Sequence, residues 1–134
     1  MPGVLAGRWA RRWSLVTSHN QCTGARGEQI AAGWLHSQGM QVLASNWRCG
    51  AGEIDIVARD ATTLVVVEVK TRTSQRFGDP AEAVTAVKLR RLRHLAAQFL
   101  TTGPHRFRSV RIDVVAVLLL PGQRPRVKHL RGVT

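Results

Sequence analysis

Apolar and polar residues alternate with two different periods along this chain, and the changes of period mark its elements. Residues 24 to 38 carry Ile30, Ala31, Ala32, Trp34 and Leu35 at spacings of three and four, which predicts a helix. Gly39 is placed to cap it in a left-handed conformation. Residues 41 to 47 predict a short strand, and 48 to 52 a turn. Residues 53 to 59 begin by alternating, Glu53-Ile54-Asp55-Ile56. After a tight connection at Asp60-Ala61-Thr62, residues 63 to 70 form a β-branched run ending Val67-Glu68-Val69-Lys70. Together these two runs predict a hairpin. Residues 71 to 78 read as a loop. Asp79-Pro80-Ala81-Glu82 then has the residues of a helix start: Asp79 as N-cap, Pro80 at the first helical position and Glu82 reaching back. That helix is expected to run to about Thr102, with an apolar face of Val84, Val87, Leu92, Leu95 and Phe99. Its other face carries Lys88, Arg90, Arg91 and Arg93. A long strand from Ser109 to Leu119 follows, and Val127 to Leu130 is a candidate edge strand.

The order helix, three strands, helix, strand predicts an α/β domain, a sheet flanked by helices. With 134 residues one domain is expected. Residues 1–21 read as a basic N-terminal extension, 22–120 as the domain and 121–134 as a basic tail. Val110 to Leu120 is too short and too charged to span a bilayer, so no membrane association is expected. Arg11-Arg12-Trp13 is followed by Thr17, Ser18, His19, Asn20 and Gln21 rather than an apolar core, which argues against an export signal. Cys22 and Cys49 show neither a disulfide framework nor zinc spacing, and a reducing, cytoplasmic location is the expectation.

Charge narrows the partner. Lys and Arg number 20 against 8 Asp and Glu, a net of +12, which points to a polyanion such as nucleic acid. Seventeen of the basic residues are Arg, whose planar fork matches phosphate oxygens. A basic protein docking on ribosomal RNA has the same composition.

The few acids carry the chemistry. Residues two apart on a strand share a face, so Glu53 pairs with Asp55 and Glu68 with Lys70, leaving Ile54, Ile56, Val65, Val67 and Val69 for buried faces. If Asp60 lies opposite Thr63, then Asp55 falls opposite Glu68 and Glu53 opposite Lys70; a slip of one residue would separate them. Side-by-side carboxylates with water are a ligand set for Mg²⁺ or Mn²⁺. Lys70 would stand beside an attacking water. Ordinary cross-strand ion pairing on a solvated face is the competing explanation. Glu28 gains weight because it interrupts a basic stretch on a helix able to cover the strand ends. Asp113, within a strand, is expected to pair with a nearby Arg. Trp34, Trp47 and Phe99 are expected in the core.

Gly27-Glu28, Asn46, Gly52-Glu53-Ile54-Asp55, Val67-Glu68-Val69-Lys70-Thr71-Arg72, Phe77-Gly78, Ala83-Val84, Lys88 and Arg111-Ile112-Asp113-Val114-Val115 resemble the YraN-type family of small bacterial proteins. That family is itself similar to archaeal Holliday-junction resolvases and other PD-(D/E)XK nucleases. The resemblance covers about residues 22 to 118. It implies a restriction-endonuclease-like αβββαβ core with a mixed sheet. It implies Asp55 as the first acidic residue, Glu68-x-Lys70 as the second half of the motif and Glu28 as an added helix carboxylate. Gly-Glu-x-Asp stands in place of the Pro-Asp pair, which leaves Glu53 as a further candidate ligand. The resulting expectation is a Mg²⁺- or Mn²⁺-dependent endonuclease acting on branched, flapped or nicked DNA in repair or recombination. Asp55 and Glu68 would bind metal, with Glu28 and Glu53 in support and Lys70 at the water. Arg72, Arg76, Lys88, Arg90 and Arg91 would hold phosphates. Resolving a junction needs two sites, and hence a homodimer. The alternatives are a non-cutting nucleic-acid-binding module on the same fold and a basic RNA- or ribosome-associated protein.

Overall fold

The computed structural model describes residues 19–74 and 84–134. In chain order it contains α1 (His19–Ser37), β1 (Gln41–Cys49), β2 (Gly52–Asp60), β3 (Thr63–Arg72), α2 (Ala86–Leu100), β4 (Ser109–Leu118) and β5 (Arg126–Leu130). The five strands form one mixed sheet in the order β1-β2-β3-β4-β5. Only β3 and β4 pair in parallel, and α2 lies in the crossover that such a pair requires.

The central strands are apolar on both sides because a helix covers each face. Against α1, Ala31 and Leu35 pack on Ile56, Ala58, Val65, Val67, Val115 and Val117. Against α2, Leu89, Leu92, Leu95 and Phe99 pack on Ile54, Val57, Leu64, Val66 and Ile112. Trp47 meets Phe99 edge-on, with ring centroids 5.4 Å apart, as a core residue should. Gly39 closes α1 at φ 85°, where its N–H reaches His36 O at 3.0 Å and Met40 N–H reaches Leu35 O at 3.0 Å.

Two expectations about α2 are corrected. Val84 and Thr85 are not helical; Thr85 is extended (φ −78°, ψ 163°) and caps the helix by accepting Lys88 N–H at 3.1 Å. The proposed start at Asp79-Pro80 and the reach of Glu82 lie outside the described residues, as do Arg76, Phe77-Gly78, Ala83 and residues 1–18. Val87 therefore falls in the first turn and is 58% exposed, and Leu89 takes its place on the buried face. The helical start at His19 lies within the stretch read as an N-terminal extension, and β5 within that read as a tail. No described helix is long and apolar enough to cross a membrane.

The β2–β3 hairpin has the register that the acids require. Asp60 pairs with Thr63, Ala58 with Val65 and Ile56 with Val67. The two linking residues, Ala61 and Thr62, turn with Ala61 at φ 53°. The ladder ends at Ile56↔Val67, one pair short of Asp55 and Glu68. At that point the alternation in β2 changes phase, which corrects the expected shared face of Ile54 and Ile56. Ile54 packs on the α2 side and Ile56 on the α1 side. From there toward Gly52, β2 keeps its ladder with β1 but has none with β3.

Candidate active site

The ends of β2 and β3 part at the phase change, and Asp55 lies in the opening. Its Oδ2 accepts the Val69 N–H at 2.8 Å, tying the two strands together through a side chain. On the α2 side, Glu68 Oε1 meets Lys88 Nζ at 2.7 Å and Lys70 Nζ at 3.4 Å. From α1, Glu28 takes a hydrogen bond from the Asn46 side chain. Glu53 pairs with Arg48 at 3.4 Å across the β1–β2 hairpin. The acids thus converge on a gap between two strand ends, reached from both helices, rather than on one strand face.

Their mutual influence shows in the proton affinities. Asp55 is pushed up from 3.8 to about 7, first by burial and then by the charge of Glu68, with the Val69 N–H partly offsetting and Glu28 and Glu53 adding. Glu28 is raised from 4.5 to about 6 by burial, eased by Asn46 and increased by Glu53 and Glu68. Lys70 is lowered, chiefly by burial and then by the adjoining Lys88, with Glu68 opposing. For Lys88, burial disfavours the charge, but contacts with Glu68 and Lys70 and the charges of Glu68 and Asp55 outweigh it, and its value is raised.

Two local features set this geometry. Gly27 brings α1 directly onto the end of β3: a methyl group there would occupy the position of the Thr71 hydroxyl. Asn46 adopts φ 52°, a left-handed conformation that Asn tolerates better than most residues, in a strand whose register slips between Val42 and Ala44. Gly27→Ala should lower stability by about 1–3 kcal/mol through overpacking, and Thr71→Ala in the same chain should recover part of the loss. Chemical denaturation of the three variants measures both.

The predicted residues divide clearly. Glu28, Glu53, Asp55, Glu68 and Lys70 come together. Arg90 and Arg91 are exposed on α2, away from its buried face. Arg72 ends β3, and Arg76 is outside the described residues. Lys88, expected among the phosphate contacts, sits inside the acid cluster. Asn46, which is not among the expected site residues, joins them through Glu28; its signal in the sequence is a polar residue prone to left-handed geometry in the middle of a strand.

A second polar group on the α1 face of the sheet joins β2, β4, β5 and α1. Asp113, fully buried, receives Arg111 Nε at 2.8 Å, Arg111 Nη2 at 3.1 Å, His129 Nε2 at 2.7 Å and Gly132 N at 3.0 Å. Trp34 Nε1 donates to His129 Nδ1 at 3.1 Å, so Nε2 carries the proton directed at Asp113. Arg111 Nη1 continues to Asp60 at 3.0 Å. Burial alone would raise Asp113, but hydrogen bonds from Arg111, Gly132 and His129 hold it below the ordinary carboxylate value. The buried polar side-chain atoms of this group all have partners, and the hydrogen bonds of Asp113 run to Arg111, His129 and Gly132 rather than to the acid cluster.

The model of the uncharacterised protein family UPF0102 matches residues 27–117, from the glycine beneath Thr71 through every residue of the cluster. A UPF0102 protein of Beutenbergia cavernae is 57% identical over 110 residues, 82% of this chain and 93% of its own. One from Nocardia farcinica is 50% identical, over 84% and 89%. One from Mycobacterium sp. (strain KMS) is 46% identical over 99% of both chains. Among solved structures, the chain is similar to Hjc, a Holliday junction resolvase of Archaeoglobus fulgidus, with 20% identity and a TM-score of 0.43 over 78% of this chain and 74% of that one. Family match and relatives agree: this chain belongs to the uncharacterised protein family UPF0102, the YraN family.

Proposed function

We propose that this protein is a Mg²⁺- or Mn²⁺-dependent endonuclease of the restriction-endonuclease-like type that hydrolyses phosphodiester bonds in branched, flapped or nicked DNA. One observation carries the reading. In a chain of net charge +12, four of the eight acids gather at one gap, and two of them are held in it against their own charge. Such a concentration of carboxylates opposes binding of a phosphate unless a cation intervenes.

The donor set fits a hard cation. Asp55, Glu68, Glu28 and Glu53 offer only oxygen, which suits Mg²⁺ or Mn²⁺ rather than zinc. Among the described residues, no three His, Cys, Asp or Glu side chains are gathered closely enough to hold an ion by themselves. Mg²⁺ does not need such a cage, since it keeps several waters and takes one or two carboxylates. Asp55 and Glu68 would hold it, with Glu28 and Glu53 in support. The chemistry it supplies is polarisation of the phosphate and a lowered pKa for a coordinated water.

The chain's own groups do the rest. Lys70, 3.4 Å from Glu68 and depressed by burial, orients the attacking water and is suited to accept its proton. Arg72, Arg90 and Arg91 line the approach as phosphate contacts, which position DNA without reading base sequence. Selectivity then comes from DNA shape, and cutting both strands of a junction requires a homodimer. Cys22 and Cys49 are unpaired thiols, in keeping with the cytoplasm.

The test is direct. Purified protein is incubated with a four-way junction, a flap, nicked duplex, linear duplex, single strands and RNA, with Mg²⁺, Mn²⁺ or a chelator. Metal-dependent cutting is expected, with branched DNA cut at least about tenfold faster than linear duplex, a preference of about 1.4 kcal/mol. Tight binding with no cutting under any condition would make this a binding module, and affinity for RNA alone would make it an RNA-associated protein.

A further inference from the structure

The shorter of the two contacts to Glu68 belongs to Lys88, not to the lysine of the Glu-x-Lys motif. Both ammonium groups address the same oxygen, Oε1, at 2.7 Å from Lys88 and 3.4 Å from Lys70. The position of Lys88 follows from the fold. Thr85 caps α2 on the Lys88 N–H, and Leu89 and Leu92 anchor the same turns in the core. The Lys88 backbone is thereby held beside the end of β3 while its side chain keeps four rotatable bonds. The Asp55 charge is also felt at Lys88, as the smallest of the influences on it. Lys88 therefore holds a cation's place on Glu68, within the field of Asp55.

Lys70 differs in kind. It lies on β3 itself, two residues from Glu68, so its ammonium approaches from the strand. Lys88 approaches from a helix whose exposed face carries Arg90, Arg91 and Arg93. A side chain leaving Glu68 toward that face would meet whatever anion those arginines hold.

We propose that Lys88 is the stand-in cation of the metal-free site: its ammonium neutralises Glu68 beside Asp55 until a divalent ion takes that place, and Lys88 then transfers to an oxygen of the substrate phosphate. This rests on the metal-dependent nuclease reading. A divalent ion on Glu68 would repel the Lys88 ammonium about twice as strongly as the single charge of Lys70 does at the same separation, so ion and ammonium compete in the absence of DNA. With DNA present they cooperate, because the displaced ammonium gains a phosphate.

Mn²⁺ affinity, read from the electron paramagnetic resonance of the free ion without DNA, separates the two. Lys88→Met removes the competitor and should bind Mn²⁺ about fivefold tighter, the equivalent of one partly exposed ion pair. Lys88→Arg keeps the charge and should stay within about twofold of wild type. DNA binding in Ca²⁺ should weaken in Lys88→Met, and its slope of log affinity against log salt should fall by about one. Thermal melting confirms folding, and Lys88→Gln replaces Lys88→Met if the latter does not fold. Equal or weaker Mn²⁺ binding by the uncharged variant overturns the stand-in role, and an unchanged salt slope overturns the transfer. If wild type shows no Mn²⁺ binding that Asp55→Asn abolishes, the nuclease reading fails and Lys88 falls with it.

Discussion

Asp55→Asn should reduce DNA cleavage by about 1,000-fold or more while making the metal-free protein more stable. The amide keeps the carbonyl that accepts the Val69 N–H, so the link between β2 and β3 survives. What disappears is a charge that the site resists. Asp55 is pushed up to about 7 by burial and by Glu68, Glu28 and Glu53. A carboxylate whose folded pKa exceeds its unfolded one binds an extra proton in the native state, so its stabilising contribution is complete below about 4 and lost as pH rises through about 7. At 1.36 kcal/mol per unit, Asp55 costs the wild type about 2–4 kcal/mol between those limits. Glu28, raised to about 6, adds to the same trend. Metal-free wild type should therefore melt lower at pH 8 than at pH 5, and the Asn variant should show a shallower decline. Mn²⁺ at pH 8 should raise the melting temperature of wild type, by linkage, and leave Asp55→Asn unchanged. An Asn variant that melts below wild type at pH 8 would mark Asp55 as an ordinary structural acceptor.

The sequence made much of this visible because strand alternation and hairpin register are local. Pairing Asp60 with Thr63 needs only a two-residue connection, and it carries the ladder to Ile56↔Val67, leaving Asp55 and Glu68 just past its end rather than paired, and Glu53 opposite Arg48 rather than Lys70. The phase change at Asp55 was not legible. It depends on where β2 and β3 stop pairing, after Ile56↔Val67, which the alternation of neither strand marks. The non-helical Val84-Thr85 was not legible because the capping residues at Asp79-Pro80, which lie outside the described residues, suggest one unbroken helix, whereas Thr85 caps Ala86–Leu100. Lys88 was not legible as a partner of Glu68 because their contact joins α2 to the end of β3, twenty residues away, and no local pattern reports it. Around Asp113 the neighbouring Arg111 could be anticipated, being two residues away on one strand face. His129 and Trp34 could not: they are separated by 95 residues and meet only when β5 closes the sheet edge beside α1.

Asp113→Ala should come close to unfolding the protein, at a cost of about 3–5 kcal/mol against a typical total of about 5–15. All four hydrogen bonds at Asp113 are donated to it, by Arg111 twice, by His129 and by the Gly132 N–H. Truncation leaves a guanidinium, an imidazole N–H and a backbone N–H without their acceptor in the interior. Asp113→Asn should also be costly, about 2–4 kcal/mol, although it fills the same space, because its NH₂ would face donors where an acceptor is required. The pair Asp113→Leu with Arg111→Met should recover much of the loss, since a stranded charge costs more than a missing ion pair. Asp60, the other partner of Arg111, is partly exposed and keeps Arg131 at 3.9 Å. Urea titration of the four proteins would show the order wild type, double variant, Asn, Ala. Because the hydrogen-bond partners of Asp113 and Arg111 are not residues of the acid cluster, the double variant should retain Mn²⁺ affinity within about twofold of wild type, as expected for sites that do not share partners. A double variant no more stable than Asp113→Ala would mean that His129 and Gly132, rather than the charge of Arg111, account for the cost.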